Sequence, residues 1–182
     1  MRTRVGYAGG TLQNPIYRQM GDHTETIEID FDSSVLKLEE LFDIFWQSHN
    51  ALKVNHYRGK QYQSMILFRN DEQAQVALAS KRKWEDKLNG TIQTEIAPLI
   101  TFYLAEERHQ KYYLKRFPKA YFELMSYFPT FCEFVDSTLV ARLNGFVREY
   151  GSLQSIKMEL AEWPLRQKEK GAIESMIQSL KW

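Results

Sequence analysis

The amino-acid sequence predicts an α+β protein: a part built of strands and helices, followed by a helical C-terminal extension. Apolar residues alternate in two short stretches and recur at helical spacing in two longer ones, while from Phe117 onward prolines and glycines cut the chain into short helix-length pieces.

The first alternation covers residues 25–31. Ile27, Ile29 and Phe31 share one face and Thr26, Glu28 and Asp30 the other, as in a half-buried strand. Glu25 shares the odd-numbered parity of the apolar face, where desolvation would disfavour the carboxylate and raise its pKa toward that of a general acid. The alternative is a solvated carboxylate at the strand's open first position, or one paired with Arg18. Asp32-Ser33-Ser34 turns the chain, and Leu38, Leu41, Phe42 and Phe45 then recur at helical spacing through His49. Residues 64–69 form a second apolar run. Asn70-Asp71 is suited to cap a helix reaching Leu88, which Asn89-Gly90 ends because glycine accepts left-handed backbone. Residues 91–96 alternate again, with Ile92, Thr94 and Ile96 on one face and Pro98 closing the strand. In the extension, breaks are expected at Pro118, Pro129, Asn144-Gly145, Gly151 and Pro164, and Thr130 with Glu133 matches a capping box.

The 24 basic and 23 acidic side chains nearly cancel, so no general attraction to nucleic acid or a membrane surface is expected. Arg108, Lys111, Lys115, Arg116 and Lys119, interleaved with Tyr112 and Tyr113, read as a solvated helix face carrying a Glu107 to Lys111 pair. Apolar runs are too short to span a bilayer, and Met1-Arg2-Thr3-Arg4 opens no apolar signal core, so a cytoplasmic address is expected. His23, His49, His56 and His109 lack the close spacing of a metal site, and none is expected. Cys132 is the sole cysteine, expected to be buried and inert within Phe131-Cys132-Glu133-Phe134.

The densest run of unusual residues is Val5-Gly6-Tyr7-Ala8-Gly9-Gly10-Thr11. It lacks the Gly-Lys-Ser/Thr ending and the glycine spacing of a nucleotide loop, which leaves a structural turn or a close backbone approach. Tyr7, Tyr17, Tyr57, Tyr62, Tyr103, Tyr112 and Tyr113 surround the polar loops as possible donors to a neutral oxygen.

Gly6-Tyr7-Ala8-Gly9-Gly10, Asn14-Pro15-Ile16-Tyr17, His23-Thr24-Glu25, Gly59-Lys60-Gln61-Tyr62 and Ala105-Glu106-Glu107-Arg108-His109-Gln110 follow one another in an order that resembles methionine sulfoxide reductase A. The resemblance implies a two-layer sandwich with a mixed sheet, a ferredoxin-like plait, over residues 1–116, with 117–182 as the extension. It implies reduction of methionine-S-sulfoxide, free or in proteins, in protein repair under oxidative stress. A cysteine thiolate attacks the sulfoxide sulfur, a glutamate matching Glu25 protonates the oxygen, and tyrosines matching Tyr17 and Tyr62 hold it. Thioredoxin or another thiol would be the reductant, with no bound cofactor. The family's Gly-Cys-Phe-Trp motif would lie upstream of Arg2, so no nucleophile is expected in these 182 residues and they should be inactive by themselves; the alternative is a non-catalytic sulfoxide-binding or remnant protein. An aspartate of the family falls at Tyr57, beside His56, which leaves part of the substrate positioning without its usual residue.

Overall fold

The computed structural model describes residues 1–53 and 59–182; His56 and Tyr57 lie outside the described residues. The chain gathers into two compact units, Val5–Glu106 and a discontinuous one of Met1–Arg4 with Glu107–Trp182. Residues 107–116 thus gather with the helices that follow them.

The strands form two sheets, and all of their residues except Arg2–Arg4 of the first strand belong to the Val5–Glu106 unit. β1 (Arg2–Ala8) lies between β2 (Thr24–Asp30) and β5 (Phe102–Leu104), and β3 (Met65–Phe68) pairs with β4 (Glu95–Pro98). β1 and β5 are antiparallel, with Gly6 opposite Leu104 and Ala8 opposite Phe102, whereas β3 and β4 are parallel, with Ile66 opposite Ile96. The expected α+β architecture with both kinds of pairing is therefore present, its pairings divided between two sheets among the described residues.

Helices α1 (Leu38–Gln47) and α2 (Asp71–Leu88) pack with each other, and α2 packs on β3 and β4. Trp46, Ala77, Trp84, Ile66 and Ile92 make the core there. Each buried indole finds an acceptor: Trp46 donates to Ser80 Oγ at 2.9 Å and Trp84 to Asp43 Oδ1 at 2.6 Å, so the rings bury their area without stranding an N–H. Asn70 caps α2 as expected, its side chain accepting from the Gln73 N–H at 2.9 Å. The helix stop differs from expectation, because Asn89 itself takes the left-handed conformation (φ 48°), its short polar side chain tolerating it. Ile92 and Thr94 are buried on one side as the alternation implies, but ladder pairing begins only at Glu95.

In the second unit, α3 (Pro118–Met125), α4 (Phe131–Asp136), α5 (Thr138–Phe146), α6 (Leu153–Glu162) and α7 (Gln167–Ser179) surround a core that includes Leu124, Phe134, Val140, Leu143, Ile156 and Ile177. Thr130 accepts from the Glu133 N–H at 3.2 Å, and Ser137 and Ser152 cap the next two helices in the same way. Three expectations are corrected here. The helix α5 runs through Asn144-Gly145, whose Asn144 side chain accepts from the Leu114 N–H. Residues 107–111 do not form a helical face: only Glu107–His109 turn, in a 3₁₀ helix, and the backbone reverses at Lys111 (φ 49°). Lys111 is buried, donating to Thr3 O at 2.6 Å and Thr3 Oγ1 at 3.0 Å instead of pairing with Glu107. Cys132 is exposed, because Phe134 and Val135 set the buried side of α4 and residue 132 falls about two 100° steps from 134, on the opposite side.

Candidate functional site

The glycine-rich run and its neighbours are arranged by close backbone approaches. A Cβ on Gly6 would lie 2.3 Å from Tyr103 O and 2.4 Å from the Phe102 ring, so only glycine allows β1 to pair there with β5. Gly9 (φ 79°) then turns the chain, and the Gly10 N–H donates to His23 Nδ1 at 3.1 Å. That assigns the ring proton to Nε2, which donates to Leu12 O at 2.7 Å. His23 is 1% exposed and structural. Next to it, Asp22 accepts from the Thr11 N–H at 2.8 Å and the Thr11 hydroxyl at 3.1 Å, and the Thr11 backbone bond is the largest cause holding its carboxyl down to about 2.

This loop delivers Tyr17. Asn14 adopts a left-handed conformation (φ 50°), Ile16 bridges to Gln19, and the Tyr17 N–H donates to Glu106 Oε1 at 3.2 Å. The other oxygen of Glu106 accepts from the Tyr7 hydroxyl at 2.6 Å. One carboxylate thus orders two tyrosines. Glu106 belongs to the ordered motif set, but nothing in the sequence marks it as a positioning residue, since it comes close to Tyr7 only once β1 and β5 pair.

A second set of bonds fixes Tyr62. The 3₁₀ turn Lys60–Tyr62 follows Gly59 (φ 69°) and is tied to the start of β2 by Thr24 Oγ1 donating to Lys60 O at 2.8 Å and Gln61 Nε2 donating to Glu25 Oε1 at 2.6 Å. Glu25 and Tyr62 consequently line the same cavity of about 770 Å³; Tyr17 is not among its lining residues. Of the two readings of Glu25, the solvated carboxylate at the open start of the strand holds and the desolvated one is corrected. Glu25 is exposed and Ile27 is 57% exposed, and both border this cavity. Gln61, a motif residue to which the sequence assigns no role, is the residue that orients Glu25.

Ser64 and His49 also border the cavity. His49 Nδ1 lies 2.8 Å from Phe45 O, which can only accept, so the proton sits on Nδ1 and Nε2 accepts from Ser64 Oγ at 2.8 Å. Thr94 Oγ1 in turn lies 2.7 Å from Ser64 Oγ.

The fold has solved counterparts among methionine sulfoxide reductases of the A type. It is similar to Mxr1 of Saccharomyces cerevisiae in reduced form, with TM-score 0.58 and 29% identity over 64% of this chain and 71% of that one. It is likewise similar to methionine sulfoxide reductase A of Corynebacterium diphtheriae, with TM-score 0.54 and 31% identity over 64% of each chain. The family model for peptide methionine sulfoxide reductase matches residues 1–136, and the chain belongs to that family. A peptide methionine sulfoxide reductase of Drosophila melanogaster is 41% identical over 87% of this chain and 63% of its own length. The MsrA of Methanothermobacter thermautotrophicus is 40% identical over 60% of this chain and 70% of its own. The chain spans about three fifths of the length of the first curated relatives it matches.

Proposed function

We propose that the Val5–Glu106 unit forms the oxygen-recognising, proton-donating part of a reductase acting on methionine-S-sulfoxide, free or in proteins. In this reading Tyr17 and Tyr62 donate hydrogen bonds to the sulfoxide oxygen and Glu25 delivers a proton to it. A cysteine thiolate from beyond these residues attacks the sulfur. The S–O bond breaks, leaving the thioether and a sulfenic acid on the cysteine, so the substrate sulfur gains the two electrons the cysteine loses. A second thiol condenses with the sulfenic acid, releasing water and forming a disulfide that thioredoxin or another thiol reduces.

The observation that carries the proposal is the 2.6 Å bond from Gln61 to Glu25, which holds the acid on the same cavity rim as Tyr62. The test is a titration of the protein with the S and R epimers of methionine sulfoxide, followed by NMR of the tyrosine rings. Saturable shifts at Tyr17 and Tyr62 with the S epimer, weaker with the R epimer, are the expected result; silence at both rings overturns the reading.

A second reading, a sulfoxide-binding protein without turnover, is favoured for these 182 residues by one fact: their only thiol, Cys132, sits on α4 outside the unit that carries Glu25, Tyr17 and Tyr62. Binding without turnover in dithiothreitol is its expected outcome. Reduction of the S epimer under those conditions overturns it.

A further inference from the structure

The near-balance of charge in the whole sequence hides a division between the two units. Val5–Glu106 carries 10 basic and 14 acidic side chains, whereas Met1–Arg4 with Glu107–Trp182 carries 14 basic and 9 acidic. Four arginines of the helical unit are answered by carboxylates: Arg2 and Arg4 meet Asp136, Arg142 meets Glu159 at 2.7 Å, and Arg166 meets Glu169 at 2.7 Å. Arg116 and Arg148 are exposed and meet no carboxylate among the described residues.

Tyr113 brings these two together. The Arg116 N–H donates to Tyr113 O at 3.1 Å, and the Arg148 guanidinium lies over the Tyr113 ring, 4.7 Å from its centre. The Leu114 N–H, bonded to Asn144 Oδ1 at 3.1 Å, pins the 3₁₀ turn Leu114–Arg116 to α5. At the end of that helix, Gly145 O accepts from the N–H of Arg148 at 2.9 Å and of Tyr150 at 3.1 Å. Glu149, between them, is left-handed (φ 66°) and pairs with neither arginine. Tyr112 at 58% and Tyr150 at 74% exposure complete the surface.

We propose that Tyr112, Tyr113, Arg116, Arg148 and Tyr150 form a docking surface for an acidic polypeptide segment of a partner protein. The proposal is independent of any role of Glu25, Tyr17 and Tyr62.

Charge sets the sign of the partner, and geometry sets its chemistry. With a ring beneath it, the Arg148 guanidinium is steadied while its N–H groups stay open to a planar, bidentate acceptor such as a carboxylate. Tyrosine and arginine are the residues enriched where protein partners bind tightly, and a tyrosine ring supplies contact area at low entropic cost.

A polypeptide fits this surface better than a nucleic acid or a bilayer. Bases stack on open ring faces, but Arg148 covers a face of Tyr113, and Tyr112 meets Tyr113 edge to face at 78°, which makes no parallel platform. A bilayer takes up an apolar helix face, whereas these three tyrosines lie outside the helices.

The test is a titration of the intact 182-residue protein followed by NMR of the arginine Nε–H and tyrosine-ring signals. The probe is acetyl-Ser-Asp-Glu-Ala-Asp-Glu-Ser-amide, with a control in which asparagine and glutamine replace the acidic residues. Neither peptide contains methionine, so binding is read apart from any sulfoxide chemistry. Saturable shifts at Tyr113, Arg116 and Arg148 with the acidic peptide, and none with the control, are expected. Arg116→Gln with Arg148→Gln should weaken binding about tenfold or more, as two charge-assisted contacts are lost. Arg148→Lys, which keeps the charge but not the planar fork, should weaken it about threefold. Lys157→Gln with Lys168→Gln, an equal loss of charge on α6 and α7, should change it less than about twofold. Absence of shifts in the unsubstituted protein overturns the proposal, as do equal shifts with the control peptide. Equal weakening by the Lys157 and Lys168 pair overturns it too, by showing attraction to net charge alone. A short oligothymidylate that shifts the same residues and binds more tightly than the acidic peptide overturns it in favour of nucleic acid.

Discussion

Gln61 and Glu25 are joined by a side-chain hydrogen bond of 2.6 Å, and through it a one-turn helix bearing Tyr62 is locked to the first residues of β2. The bond links a donor amide to a carboxylate on the water-facing side of the strand, so its value lies in orientation more than in stability.

Replacing Gln61 with alanine should therefore leave unfolding nearly unchanged, within about 0.5 kcal/mol as for most exposed positions. The same change should weaken methionine-S-sulfoxide binding by about tenfold, the equivalent of one charge-assisted hydrogen bond in positioning. Urea denaturation and the tyrosine-ring titration measure the two effects separately, and a stability loss without a binding loss would show that Gln61 serves the fold alone.

Gly6→Ala tests the backbone approach. Its Cβ would meet the Tyr103 carbonyl and the Phe102 ring at 2.3 and 2.4 Å, and the carbonyl cannot swing away without breaking the β1 to β5 pairing. A loss of about 2–3 kcal/mol is expected, at the upper end of overpacking penalties. It would appear as a lower urea midpoint at constant slope.

Two titrating groups shape the pH dependence, in separate windows and with the same sign. Asp22, held at about 2 by Thr11, binds its proton less readily folded than unfolded. The stability it contributes is complete above the ordinary value of 3.8 and is lost as pH falls toward 2. Burial pushes Lys111 down to about 8 from 10.5, so between those values the unfolded chain holds a proton that the folded one has released, and stability rises with pH. Denaturation midpoints measured from pH 2 to 10.5 should show both rises; Asp22→Asn should remove the acid one and Lys111→Met the alkaline one.

Cys132 should react stoichiometrically with a thiol reagent in the folded protein, because its side chain is exposed on α4. Cys132→Ser should leave sulfoxide binding untouched. Labelling that proceeds only in urea would contradict the exposure.

Local signals were legible in the sequence where a short stretch decides its own conformation. The Asn70 cap, the helical repeat of Leu38, Leu41, Phe42 and Phe45, and the Thr130 cap all needed nothing beyond neighbours in the chain. Glu25 shows the limit: alternation tells which residues share a side of β2, but which side meets water depends on strands far away, and here Glu25 and Ile27 are exposed. Lys111 departs from the sequence pattern: its spacing from Glu107 suits a helix, but a left-handed residue at 111 ends any helix, and the ammonium turns inward to Thr3. The repeat along the ten residues of α1 identifies a buried side; the six residues of α4 are too few to do so, and Cys132 lies on the exposed one. The pairing of Tyr7 and Tyr17 on Glu106 spans 99 and 89 positions and leaves no local trace.

The helical unit joins two separate segments, Met1–Arg4 and Glu107–Trp182. Arg2 pairs with Asp136 at 3.0 Å, and Thr3 receives Lys111, so contacts of the first residues close loops of 134 and 108 positions. A ribosome releases Arg2 and Thr3 long before either partner exists, and at about 5–20 residues per second the wait is many seconds. Throughout that interval the bonds to Asp136 and Lys111 cannot form, so that unit closes only after residue 136 has been made. Large loop closures of this kind slow the search for the native state, so the helices, although local in their own bonds, are tied to the slowest event in the molecule's assembly.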